Sequence, residues 1–151
     1  MPIWAHYADN HKGFCIEYDF STLDYENEFS KYLFPVGYEP HRYNITNLIE
    51  LSLKNNTDPR IKLLYFLMSL KHNSWSYEKE WRIMKIKLPE EKKFESGLVD
   101  CPFKPTAIYL GVNFDLEKTP EFYRKLSILG VPIYKLKIGN SKFFDLESVE
   151  L

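Results

Sequence analysis

Two glutamates flank a lysine, and an arginine follows two residues later, in the stretch Trp75-Ser76-Tyr77-Glu78-Lys79-Glu80-Trp81-Arg82. Alternate residues of an extended chain share a face. Glu80 and Arg82, joined by Glu78 where the chain is already extended, therefore head a face that continues as Met84, Ile86 and Leu88. Charge at the mouth of an apolar face is costly unless it is paired or meets a ligand. Two chemistries fit. In one, Glu80 and Arg82 form an ion pair that pins the strand, or Arg82 bridges Glu80 and a second carboxylate. In the other, Glu80 is an electrostatic or acid/base group acting on a substrate, Glu78 is its companion carboxylate and Arg82 orients the substrate. Trp75, Tyr77 and Trp81 either stack on a flat ligand or fill core.

A second dense stretch opens the chain, from Trp4 through His6, Tyr7, Asp9 and His11 to Gly13. His6 and His11 lie five residues apart, which matches neither a helical metal pair nor a zinc signature. Asp9 or Glu17 would add ligand types without a spacing that requires a metal, so none is assigned. His6 and Tyr7 read as substrate contacts or as polar groups lining a core edge, and His11 as a further ligand-binding candidate. His41 and His72 read as loop or surface residues. The chain has neither a phosphate-cradling glycine-rich loop nor a Gly-x-Ser-x-Gly elbow. Its lysines are scattered, although Lys85 and Lys87 alternate with Trp81 and Ile83, an arrangement a nucleic-acid surface could use.

A chain of 151 residues is the size of one ordinary domain and can bury a sizeable core. At 44% hydrophobic and 27% charged residues it has a globular composition, and 17% aromatic residues promise a core edged with tyrosine hydroxyls. A net charge of −1 argues against a domain built mainly to coat nucleic acid or an acidic membrane. Cys15 and Cys101 make no disulfide framework, and Cys15 is expected in the core. No apolar run approaches the ~18 residues that span a bilayer, and no secretory segment follows Met1, so the expected place is the cytoplasm. A motif so close to the start points to a natural short form or to a lost upstream segment.

The elements that must position these residues follow from periodicity and punctuation. Residues 1–12 hold a turn of helix, and Phe14 to Asp19 alternate as a strand. Ser21 with Asp24 suggests a capped short helix through Phe29. Leu33 to Tyr38 is an edge or interrupted strand, because Pro35 cannot donate a ladder hydrogen bond. Asn44 or Thr46 caps a helix through Lys54, with Leu48, Ile49 and Leu51 to Leu53 inward. Asp58 and Pro59 start the clearest helix, Pro59 to Lys71, whose narrow polar stripe implies enclosure. Glu80 to Leu88 is a strand, Glu90 to Lys93 a solvated turn, and Gly97 to Val99 and Thr106 to Leu110 are short strands. Leu116 to Leu129 is an amphipathic helix, with Phe122, Leu126 and Leu129 inward and Gly130 as its cap. Pro132 to Ile138 and Lys142 to Leu146 are the last strands, around a Gly139-Asn140 turn. The fold class is α+β, a single domain with a mixed, mostly antiparallel sheet covered by two main helices.

Trp4 to Asp19, the Trp75-x-x-Glu78-x-Glu80-Trp81-Arg82 pattern and Ala107-Ile108-Tyr109-Leu110-Gly111 together resemble the bacterial family DUF2971, over essentially the whole chain. The resemblance implies no activity. Members usually carry an upstream segment, and the family occurs among bacterial and phage proteins, where a role in defence is an analogy. Glu78-Lys79-Glu80 at a strand head also resembles the Glu-x-Glu element of ADP-ribosyltransferases. There the second glutamate holds the nicotinamide ribose of NAD and stabilises an oxocarbenium-like transition state. The Arg or His and the Ser-Thr-Ser or Tyr of two further strands in those enzymes have no counterpart here, since His6 and Tyr7 are adjacent. The leading expectation is a nucleotide- or NAD-handling enzyme, or its degenerate relative. Its catalytic groups would be Glu80, Glu78 and His6, and its ligand contacts Tyr7, His11, Arg82, Trp75 and Tyr77. The rival is a non-catalytic protein- or nucleic-acid-interaction module in which the same residues form a structural network. A small nucleotide is the expected ligand, no membrane is expected, and a homo-oligomer stays open.

Overall fold

The computed structural model describes residues 2–21, 23, 26–55, 59–84, 101, 103–140 and 145–151, with backbone alone for Glu28 and for 59–62. In chain order the elements are α1 (Pro2–Tyr7), β1 (Phe14–Glu17), a 3-10 helix (Glu28–Tyr32), β2 (Leu33–Pro35), β3 (Gly37–Glu39), α2 (Thr46–Lys54), α3 (Pro59–Met68) and β4 (Leu70–His72). A second 3-10 helix (Asn73–Glu78), β5 (Trp81–Ile83), β6 (Ala107–Leu110), α4 (Pro120–Ser127), β7 (Ile133–Ile138) and β8 (Leu146–Glu150) complete them. The fold is α+β with mostly antiparallel pairing, as the periodicities predict. The contacts fall into two units: a terminal unit of residues 1–22 and 98–151, and a central unit of residues 23–97.

The terminal unit holds a four-stranded sheet of order β1-β6-β7-β8, parallel between β6 and β7 and antiparallel elsewhere. Ile108, Leu110, Phe114, Leu126 and Ile133 form its core, and Phe122 of α4 packs against them. Ile108 and Leu110 are fully buried, and each such side chain is worth about 1.5–3 kcal/mol. Lys135 is half-buried and donates to the carbonyls of Gly111 and Phe114 at 2.6 and 2.7 Å, which satisfies it. After α1 the backbone runs through three left-handed residues, Asp9, Asn10 and His11 (φ 44°, 52° and 66°). The carbonyl of His11 accepts from the Asn113 amide at 2.9 Å, and that of Asn10 from Asn113 Nδ2 at 3.0 Å. A side chain at Gly111 would collide with the His11 carbonyl, so the loop seats only on glycine.

In the central unit the chain from Leu33 to Glu39 changes partner after buried Val36. β2 pairs antiparallel with β5, and β3 pairs parallel with β4. Pro35 lies opposite Trp81 within the first pairing and does not interrupt it: the Val36 amide still donates to the Glu80 carbonyl at 2.9 Å, and the change of partner comes at Gly37, whose amide donates to the Ser69 carbonyl at 2.7 Å. α3 packs on α2, and its Tyr65 ring meets Phe34 of β2 at 5.3 Å.

Several expectations are corrected. Of the helix expected over Ser21 to Phe29, residues 22, 24 and 25 lie outside the described residues; at Ser21 the amide bonds Asp19 Oδ1 at 2.8 Å in a turn, and a 3-10 helix capped by Asn27 starts only at Glu28. The long helix stops at Met68 rather than Lys71, because the Ser69 hydroxyl bonds back to the Tyr65 carbonyl and the chain enters β4 at Leu70. That helix is not enclosed either, since Leu64, Leu67 and Met68 are exposed, as are Leu51 and Leu53 of α2. α4 begins at Pro120, behind a turn in which Asp115 Oδ1 accepts from the Glu117 and Lys118 amides, and Leu129 beyond its end is exposed. Gly130 does take the left-handed conformation (φ 67°) of a helix C-terminus. Cys15 is exposed, because its side of the sheet is the one that carries Glu17 and Tyr109. The last strand runs Leu146–Glu150. Asp24, Asp58, the strand residues after Met84, the Glu90 to Lys93 turn, Gly97 to Val99 and Lys142 to Phe144 lie outside the described residues.

Candidate functional site

Glu78 and Glu80 are brought together by one residue between them. The second 3-10 helix ends at Glu78, so Glu78 is not extended, and Lys79 turns the chain through a left-handed conformation (φ 47°, ψ 46°) before β5 begins. Both carboxylates then meet the ammonium of Lys71 on β4, Glu78 in close contact and Glu80 at 3.3 Å. Arg82 grips Glu80 with two bonds, Nε to Oε1 at 2.6 Å and Nη2 to Oε2 at 3.1 Å. Its remaining Nη1 donates to the carbonyl of Met68, the last residue of α3, where a cation also suits the helix dipole. The Glu80 amide donates to the Tyr38 hydroxyl at 2.8 Å. Lys71 lies over the Trp75 ring at 4.7 Å, and Trp75 lies 6.2 Å from Tyr77.

Burial separates the two carboxylates. The Glu78 side chain is 7% exposed and that of Glu80 29%. The hydrogen bond from Arg82, and after it that from Lys71, lowers the Glu80 pKa against the opposing effect of partial burial. Glu80 also raises the pKa of Arg82. Glu80 is thus a fixed anion near neutral pH, suited to facing positive charge and poorly suited to giving up a proton.

Lys71 and His72 also line a cavity of about 690 Å³, together with Glu39, His41, Arg42 and Leu67 among others. Sequence reasoning missed this wall and the role of Lys71, because the apolar period of α3 carries on into β4 and hides the change of element. Tyr38 was missed as well, since only the β3–β4 register sets it opposite Lys71.

The remaining candidates belong to the terminal unit. His6 and Tyr7 are on α1, both exposed. His11 stacks on Trp4 at 6.2 Å, and its Nδ1 is shielded from solvent without a hydrogen-bond partner among the described residues. Glu17 accepts from Thr106 Oγ1 and from the Tyr109 hydroxyl, each at 2.9 Å, and the bond from Tyr109 raises that phenol's pKa. Desolvation and then Glu17 raise the Cys15 thiol, which makes it a poor nucleophile. Among the described residues no cluster of three or more His, Cys, Asp or Glu could hold a metal ion, and no helix is long and apolar enough to cross a membrane.

Compared with known proteins, the chain matches one family model, described as "Protein of unknown function (DUF2971)", over residues 3–83. The matched stretch contains the Trp4–Gly13 and Trp75–Arg82 motifs and stops short of Ala107–Gly111. No curated protein and no solved structure matches the chain.

Proposed function

The chain belongs to the DUF2971 family, whose description states no activity, and from the geometry of the central unit we propose that it handles a nucleotide. The observation that carries this reading is the position of Lys71. Lys71 pairs through its ammonium with both Glu78 and Glu80, and the same residue lines a cavity of about 690 Å³, within the ~300–1,000 Å³ range of small-molecule sites. Arg82 and Lys71 keep Glu80 ionised, and the Trp75 ring lies under Lys71 with Tyr77 next to it. His6, Tyr7 and His11 take no part in this reading.

In its enzymatic form the ligand is NAD and the reaction is transfer of its ADP-ribosyl group. The bond from ribose C1′ to the nicotinamide nitrogen breaks, and its electron pair neutralises the pyridinium. An acceptor nucleophile supplies the pair for the new bond to C1′ and releases its proton to solvent. Glu80 stays an anion throughout and opposes the positive charge that develops on the ribose.

The test combines binding with turnover. Thermal midpoints are measured with NAD, ADP-ribose and ADP, and nicotinamide release is followed by proton NMR. A hundredfold excess over the dissociation constant should stabilise the protein by about 2.7 kcal/mol. Glu80→Gln should keep the shift and lose the release. A wild type whose midpoint no nucleotide moves would overturn the reading. A second reading has its own support, because Arg82 and Lys71 together occupy both Glu80 oxygens. If the network is purely structural, no nucleotide raises the midpoint of the wild type or of Glu80→Gln.

A further inference from the structure

We infer that the cavity beside β4 is a phosphate-recognition site, and that the ligand enters it phosphate first with Arg42 as its principal contact. The assignment to a nucleotide rests on the reading above, whereas the phosphate preference rests on the cavity lining itself.

The lining is rich in donors and holds one acid. Arg42, His41, Lys71 and His72 share the wall with a single carboxylate, Glu39. That carboxylate faces the Tyr43 hydroxyl and raises its pKa. Lys71 is committed to Glu78 and Glu80 and contributes a fixed positive field rather than a mobile contact. His72 accepts the Ser74 amide at Nδ1 (3.2 Å), which leaves the N–H on Nε2 as its donor. Arg42 differs from both. It is exposed and lies on the same wall as His41, Lys71 and His72. A planar guanidinium fork suits two oxygens of one phosphate. Leu67 and Pro40 on the same wall give an apolar surface for the body of the ligand.

The experiment uses the full chain and three probes: inorganic pyrophosphate, ADP and adenosine. Calorimetric titration of the wild type should show binding of pyrophosphate and ADP and at least tenfold weaker binding of adenosine. Arg42→Ala, an exposed change expected to leave the thermal midpoint of the free protein in place, should weaken both anions at least tenfold. Arg42→Lys keeps the charge without the fork and should fall between them. Equal affinity for ADP and adenosine, unchanged by Arg42→Ala, would overturn the phosphate site and leave nucleotide handling intact. Arg42-dependent binding of pyrophosphate that ADP does not exceed would support the phosphate site and remove the nucleotide. Failure of all three probes to bind would overturn both.

Discussion

At the scale of single residues the question is what each partner of Glu80 is worth. Solvent reaches Glu80, so losing its charge should cost less than breaking a sealed pair, about 1–2 kcal/mol for Glu80→Gln in urea denaturation. Arg82→Lys keeps the cation but loses the two-pronged grip and the bond to the Met68 carbonyl, and about 1 kcal/mol should go with them. Lys71→Met should be the worst of the three, at about 3 kcal/mol, because it withdraws the cation from the nearly sealed Glu78. The pH dependence has a definite sign. The folded-state pKa of Glu80 is depressed, so its contribution is present above the unfolded-state value and fades as pH falls through the folded one. The gap between wild type and Glu80→Gln should therefore be widest near neutrality and narrow under acid. A gap that widened in acid would contradict the assignment. The Glu80–Arg82 pairing is legible in the sequence alone, since neighbours two apart on a strand must share a face. Lys71 is not, because it lies seven residues from Glu78 and meets it only after a change of element.

At the scale of elements, the left-handed Lys79 is what makes two acids converge on one lysine. A non-glycine residue in that region costs about 1–2 kcal/mol. Lys79→Gly should thus leave stability unchanged or slightly raised. Lys79→Val, with a branched Cβ, should lower the midpoint and weaken any nucleotide-induced shift, and circular dichroism melts with and without ADP would read both effects. Gly111→Ala tests the other strained turn. Its new methyl would meet backbone at His11, which cannot swing aside as a side chain would, so a loss of about 1–3 kcal/mol is expected from chemical denaturation. The turn at Gly130 is readable because it follows from one residue's own backbone chemistry. The ends of α3 and α4 are not. Ser69 and the Asp115 turn cut short apolar patterns that run on beyond them, and strands three residues long such as β4 and β5 offer too few alternations to show a period of two.

At the scale of the whole chain, the terminal unit is assembled from both ends of the sequence, around an intervening stretch of 75 residues, Leu23–Gly97. Its closure is non-local. Phe14 and Ile16 pair with Leu110 and Ile108, and Glu17 takes the hydroxyl of Thr106, 89 positions away. No local pattern in a single sequence could reveal such partners, although the strands themselves are legible. The family match over residues 3–83 therefore spans β1 without the strand that β1 pairs with. The clustered core residues of that unit, Ile108, Leu110, Phe114, Leu126 and Ile133, lie beyond it. A chain cut after Met84 keeps every pairing of β2, β3, β4 and β5 and loses the only ladder that β1 makes among the described residues. Hydrogen exchange should then show those amides of Phe14 to Glu17 that bond to β6 unprotected in the cut chain and protected in the full one, while the Gly37 amide, bonded to the Ser69 carbonyl, stays protected in both. Exposed Phe14 and Ile16 should also make the cut chain bind a hydrophobic dye more strongly. Protection of Phe14 to Glu17 without residues 107–110 would mean that the matched stretch builds its own sheet, and the division into units would have to be redrawn.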